Sequence, residues 1–247
     1  MSIYEPKGNS YNKSEISVYF DEKEPPDHLS GIVHRYLDLR TNNPLKRDYQ
    51  FHALPDACTY IVFDQLNPQI TGVTKLKSKS EELNLGKNFS FVNIRLFPGV
   101  WQNESLISQG KVDKKYEGPL PLIKTNNKMN GLSFEDKQNV LTELVEHLIE
   151  KKLITPNFML QRILKNIDEI NSVKEMADCA HVSPRHLQRT LRKTIGLAPH
   201  DFLKILRLQE TLALGDTDRY ADQSHFIRSF RSATGLTPGQ YAEKYEV

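Results

Sequence analysis

At 247 residues, 38% hydrophobic and 26% charged, the chain has the composition of one large or two ordinary globular domains, which excludes a fibrous or disordered polypeptide. Its net charge of +2 is too small to name a partner, so the placement of charge has to do so. Cys58 and Cys179 fit neither a disulfide framework nor a metal motif, no apolar run reaches membrane-span length, and the N-terminus lacks a signal peptide's apolar stretch, so the expectation is a soluble, cytoplasmic chain with no membrane partner.

Residues 1–130 read as strands, turns and loops. Residues 16–20 are β-prone, Pro25 and Pro26 break the chain, and Leu29, Ile32, Val33 and Tyr36 fall at helical spacing, so a short helix is expected over 29–39. Residues 59–63 form a strand closed by the turn formers Asn67 and Pro68; residues 69–76 are the next candidate, and 89–97 alternate up to Pro98 and Gly99. Residues 111–130 are polar and read as a loop or hinge. Ser133, with Asp136 three positions on, resembles a capping box and opens a helix to about Lys152, where Lys151 and Lys152 suit the negative end of its dipole. Its stripe of Val140, Leu141, Leu144, Val145, Leu148 and Ile149 is either core or the seam of a homodimer. Residues 131–155 are therefore a connecting segment, and 156–247 are helical in pattern. The fold class is α+β: a strand-rich, sensor-like N-terminal domain followed by an all-α helix-turn-helix domain.

One segment occurs twice. His186, Arg189, Arg192, Gly196, Leu197 and Pro199 recur in order and spacing as His225, Arg228, Arg231, Gly235, Leu236 and Pro238, as a duplicated supersecondary unit would. Leu187 and Leu191 in the first copy, and Phe226 and Phe230 in the second, are four apart and face a core. Arg185, Gln188, Arg189 and Arg192 occupy the remaining face of one helix, Arg228 and Arg231 that of the other, and neither stretch contains an acid. A short cationic helix with an apolar back suits the major groove of double-stranded DNA. Gly196 and Gly235 stand where a helix ends left-handed, and Pro199 and Pro238 can open the next. Upstream, residues 173–180 form a short helix with Val173, Met176, Ala177 and Ala180 inward; His181 and Val182 make a turn, and Ser183 caps the helix at Pro184.

Residues 172–241, through Ala177, Val182, Ser183, Arg185, Leu187, Arg189, Leu191, Gly196 and Pro199 and then Phe226, Phe230, Arg231, Gly235, Thr237, Pro238 and Tyr241, resemble the AraC/XylS family of transcription regulators. The resemblance implies two helix-turn-helix units on a linker helix, reading successive major-groove segments of promoter DNA. Carried over by position, base-facing roles fall on Arg185, Gln188 and Arg189, and on Gln223, Ser224, Ile227 and Arg228; Arg192, Lys193 and Arg231 become phosphate contacts. RNA polymerase, a small-molecule effector and a second copy of the chain are the further partners it suggests. No cofactor is expected, and no catalytic or metal-binding motif is present, the pairs His147/Glu150 and His34/Asp38 reading as helix-surface chemistry.

The second unit departs from the family pattern. Residues 207–220 hold roughly ten residues too few for a linker helix plus a supporting helix, and Gly215, Asp216 and Asp218 spoil any apolar face, so that supporting helix is expected to be short, irregular or absent. The chain then stands as a DNA-binding regulator or as a regulator-derived ligand- or protein-binding protein with a weakened DNA head. Residues 26–36, 54–63 and 94–101 resemble the sensor-type N-terminal domain attached to some of these regulators. Asp56, Tyr60, Arg95 and Trp101 are its candidate effector contacts, for an anionic or planar molecule; the alternative has Asp56 paired with Arg95 or capping a turn, and Trp101 in the core. Lys75, Lys77 and Lys79 read as a solvated edge strand.

Overall fold

The computed structural model describes residues 4–7, 9–12, 17–74, 76–107, 112–214 and 222–246. Two antiparallel sheets come first. One has the order β2-β3-β8-β5-β6, from strands Val18–Lys23 (β2), Val33–Thr41 (β3), Thr59–Asp64 (β5), Thr71–Val73 (β6) and Ser90–Leu96 (β8). The other has the order β7-β4-β1-β9, from Asn9–Asn12 (β1), Tyr49–Ala53 (β4), Glu81–Gly86 (β7) and Tyr245–Glu246 (β9). Leu39 and Phe89 from the first sheet region meet Tyr49, with Phe51 and Leu85 of the second packed against them. The last strand, β9, comes from the far end of the chain, so the C-terminus is hydrogen-bonded into the N-terminal sheet, Tyr11 opposite Glu246 and Asn12 opposite Tyr245.

Eight helices follow among the described residues: Leu122–Lys128 (α1), Phe134–Glu150 (α2), Phe158–Lys165 (α3), Val173–Cys179 (α4), Pro184–Ile195 (α5), Pro199–Leu214 (α6), Gln223–Thr234 (α7) and Pro238–Lys244 (α8). None is long and apolar enough to cross a membrane. Ser133 caps α2 as its spacing requires, accepting a hydrogen bond from the Asp136 N–H. Leu141, Leu144, Val145 and Leu148 of α2 are buried against Tyr36, Ile61, Phe63, Val92 and Ile94 of the five-stranded sheet. The stripe is thus core, at about 1.5–3 kcal/mol per buried side chain, and is not available as a dimer seam.

Four expectations need correction. Residues 29–39 are not a helix: a 3-10 turn, Asp27–Leu29, leads into β3. Both faces of β3 are largely buried, and its buried residues include the polar His34 and Asp38, so the apolar residues do not alternate with polar ones as they would in a half-exposed strand and match a helical template as well. His34 and Asp38 are accordingly buried strand residues, 1% exposed each, rather than helix-surface groups. Residues 111–130 are not all loop, since α1 lies within them; it is short, with only Leu122 and Ile123 apolar inside it, and Leu122 and the following Met129 are fully buried. The buried Asn126 side chain ties it to the sheet by donating to the Asp64 carbonyl at 2.9 Å. The described part of the Lys75, Lys77, Lys79 stretch is no edge strand: Lys77 pairs with Glu81 at 2.5 Å, and Lys75 lies outside the described residues.

Candidate nucleic-acid interface

The first helical unit assembles from local rules. Ser172 caps α4 through the Glu175 N–H, and Met176, Ala177 and Ala180 turn inward. His181 then takes a left-handed conformation, φ 55°, which reverses the chain. Ser183 caps α5 by accepting from the His186 N–H at 3.2 Å, Pro184 occupies the first turn where no N–H is needed, and Gly196 ends the helix at φ 71°. Leu187, Leu191 and Ile195 are buried with Met176, Ala177, Phe202 and Leu206 in one cluster. Burying that face fixes what the opposite face must present. Arg185, Gln188, Arg189, Arg192 and Lys193 are all exposed, and no carboxylate among the described residues pairs with any of them. The His186 Nδ1 accepts a hydrogen bond from the Arg189 guanidinium at 3.1 Å, which holds that fork along the helix. In the sequence His186 stood out only as part of the repeat; its three-residue spacing from Arg189 is the signal that points to this contact.

The second unit repeats the scheme at the same spacing. Asp222 caps α7 through the His225 N–H at 2.7 Å, Gly235 ends it at φ 78°, and Thr237 with Gln240 forms a capping box on α8. Phe230 is buried against Leu208, Tyr241 and Tyr245, with its ring edge-on to Tyr241 at 5.3 Å. Gln223, Ser224, Ile227, Arg228 and Arg231 are exposed, and Arg228 and Arg231 likewise lack an acidic partner among the described residues. All ten predicted side chains therefore stand on two outward helix faces.

The units differ in what supports them. α4 stands behind α5. Behind α7 no equivalent helix occurs among the described residues: α6 runs on to Leu214, and Asp222 is already the cap of α7. Gly215, Asp216 and Asp218, on which the shortened-helix expectation turned, lie outside the described residues. Between α6, α7 and the loop before β7 lies a groove of about 590 Å³, lined by Lys79, Lys204, Arg207, Arg228, His200 and His225 together with Asp201, which stands 3.8 Å from Lys204. Sequence reasoning missed Lys79, Lys204 and Arg207 here, because distant segments bring them together.

The structure gathers Asp56, Tyr60 and Arg95 but leaves Trp101 elsewhere. The Tyr60 hydroxyl donates to the Asp56 carboxylate, and Tyr60 and Arg95 face each other in the β5–β8 register. Arg95 donates to the Glu22 carboxylate and, at 2.5 Å, to the Pro6 carbonyl. Tyr4 donates to the Asp56 carbonyl at 2.8 Å, so residues 4–7 lie over the trio. Burial pushes the Asp56 carboxyl above the usual carboxylate range, opposed by the Arg95 charge and the Tyr60 hydrogen bond. Trp101 belongs instead to the core between sheet and α2, its indole N–H donating to the Asn103 carbonyl at 2.7 Å.

Paired capped helices with apolar backs and cationic fronts, set after a strand-rich region, define the helix-turn-helix class. Residues 176–244 match the family model described as a helix-turn-helix domain, and this part of the chain is a helix-turn-helix domain of the AraC type. Among curated proteins, the chain is 22% identical over 121 residues to the HTH-type transcriptional regulator MtrA of Neisseria gonorrhoeae, covering 44% of this chain and 39% of that one. It is 28% identical over 98 residues to the bifunctional transcriptional activator/DNA repair enzyme AdaA of Bacillus subtilis, covering 35% and 46%. The matched segment thus spans less than half of either relative. A solved structure of ToxT from Vibrio cholerae aligns over 91% of this chain and 96% of that one at 11% identity, with a TM-score of 0.41, too slight a likeness to carry an argument.

Proposed function

We propose that the chain is a cytoplasmic, non-catalytic transcription regulator that binds promoter DNA through α5 and α7 under the control of its N-terminal region. The observation that carries this reading is the pair of outward faces whose arginines have no acidic partner among the described residues. Guanidinium groups left unpaired on a protruding helix are poised for guanine edges and phosphates, and no internal ion pair has to break first. Arg185, Gln188 and Arg189 are the base readers of the first helix, with Arg192 and Lys193 on phosphates. Gln223, Ser224, Ile227 and Arg228 take the corresponding places on the second, with Arg231 on a phosphate. RNA polymerase and a second copy of the chain are proposed as further partners at the promoter.

The division into a sensing region (1–130), a connecting helix (131–155) and a DNA head (156–247) belongs to this proposal, with the qualification that α2 is packed into the core of the first region. Asp56, Tyr60 and Arg95 are its proposed effector contacts; a ligand reaching them competes with residues 4–7 for the Arg95 guanidinium. Trp101 serves this region as core. A second reading, a regulator-derived binding protein with a weakened DNA head, is favoured by one observation: no supporting helix stands behind α7 among the described residues. A gel-shift titration against the chain's own upstream region and a scrambled duplex decides between them. The regulator reading expects a sequence preference and an affinity that falls steeply with salt; the alternative expects neither.

A further inference from the structure

We propose that the N-terminal region does for α7 what α4 does for α5, and that His52, Leu54 and the Ser80 backbone N–H are positioning residues for α7. An α-helix leaves the carbonyls of its last turn without intrahelical partners, and these must be met from outside. In α7, one of them is met by the N-terminal region. The Ser80 N–H donates to the Ala233 carbonyl at 2.8 Å, and the Thr234 backbone lies near enough to the half-buried His52 imidazole of β4 to pull its pKa upward against burial.

The apolar side of α7 is completed from the same direction. Phe230 stands where Leu191 stands in the first unit. Leu191 packs on Met176 and Ala177 of α4, whereas the cluster around Phe230 contains Leu54, from the turn after β4. The His52 ring lies flat on Tyr245, with centroids 4.8 Å apart and planes 10° apart, and Tyr245 is in β9, the strand paired to β1. Lys244 reaches Glu82 of β7 at 3.4 Å. On the other side, Gln209 of α6 donates to the Pro55 and Lys7 carbonyls at 2.8 and 3.1 Å. The second unit is therefore held between the linker helix and the N-terminal region, while the first carries its own support. A shift of the sheet edge at β4 would move α7 against α5, and the distance between two recognition helices decides which groove segments they can enter together. That functional consequence rests on the DNA-binding reading; the brace itself does not.

The test is hydrogen exchange by mass spectrometry on the full chain. Two substitutions probe the brace separately: Ser80→Pro deletes the N–H, and His52→Phe keeps a ring on Tyr245 but removes the polar edge beside the Thr234 backbone. Each should make amides of α7 and α8 exchange roughly five- to tenfold faster, the scale of one lost polar interaction, while those of α4 and α5 keep the wild-type rate. Leu54→Ala should do the same through packing. Unchanged rates in α7, or equal acceleration in α5, overturn the proposal. Footprinting of the same variants on the upstream region should show the contacts of the second unit lost and those of the first retained. Selective exchange in a protein that leaves no footprint at all would uphold the brace and refute DNA binding.

Discussion

The two helix-turn-helix units share their caps, their glycine stops and their cationic faces, yet among the described residues only the first contains a supporting helix of its own. α5 rests on α4, a neighbour in the chain, while α7 rests on residues far away in the sequence, Leu54, His52 and Ser80. The difference teaches that a recognition helix is specified locally, by a cap, an apolar back and a stop, whereas its aim is specified by whatever stands behind it. In this chain one aim is built into the DNA head and the other is borrowed from the region proposed to sense.

The largest effect should come from emptying the two backs. Leu191→Ala and Phe230→Ala should each cost about 2–5 kcal/mol of stability by urea denaturation. Phe230→Ala should also loosen β4 and β9, and Leu191→Ala should not. If both leave the sheet equally protected against exchange, the two units do not differ in their support. Next comes base reading. Arg189→Ala should cost about 1–3 kcal/mol at the specific site with little change on scrambled DNA, and Arg231→Ala should weaken both and lower the salt slope by about one. Identical losses for the two variants on both duplexes would erase the distinction between reader and phosphate contact.

The caps offer a smaller comparison. Ser183→Ala and Asp222→Ala each remove one acceptor from a helix start and should cost about 1 kcal/mol in thermal unfolding. The smallest effect is a pH dependence. Burial lowers the pKa of His52, against the opposing pull of the Thr234 backbone and Glu82 and with a contribution from Lys244; burial also lowers that of His34, against Glu5 and helped by Arg95 and Arg35. The unfolded chain takes up these protons near the ordinary value of about 6.5, before the folded chain does. Their contribution is therefore complete above that pH and declines as pH falls through it. His52→Phe should flatten part of the decline between pH 7 and 5, and a melting temperature insensitive to pH in that window would contradict it.

What the sequence made legible follows the same division. The Ser133 and Ser183 caps, the Gly196 and Gly235 stops and the ten outward side chains of α5 and α7 could be read because each depends on neighbours within a few residues. β3 could not: burial of both its faces erased the alternation that marks a strand. Leu122–Lys128 was too short for periodicity to show. Trp101 fell apart from Asp56, Tyr60 and Arg95 because no pattern in one dimension reports which strand face a side chain shares with another. The pairing of β9 with β1, and the Ser80 N–H that meets the Ala233 carbonyl at the end of α7, join segments far apart in the chain and leave no local trace.

The central claim is that two helix faces with unpaired arginines meet DNA. Fluorescence titration of the full chain against its own upstream duplex and a scrambled one, across a range of salt concentrations, tests it most directly. The account predicts tighter binding to the upstream duplex, affinity falling steeply with salt on both, and a preference that disappears in Arg189→Ala. Equal, salt-insensitive affinity for the two duplexes, unchanged by that substitution, would contradict it.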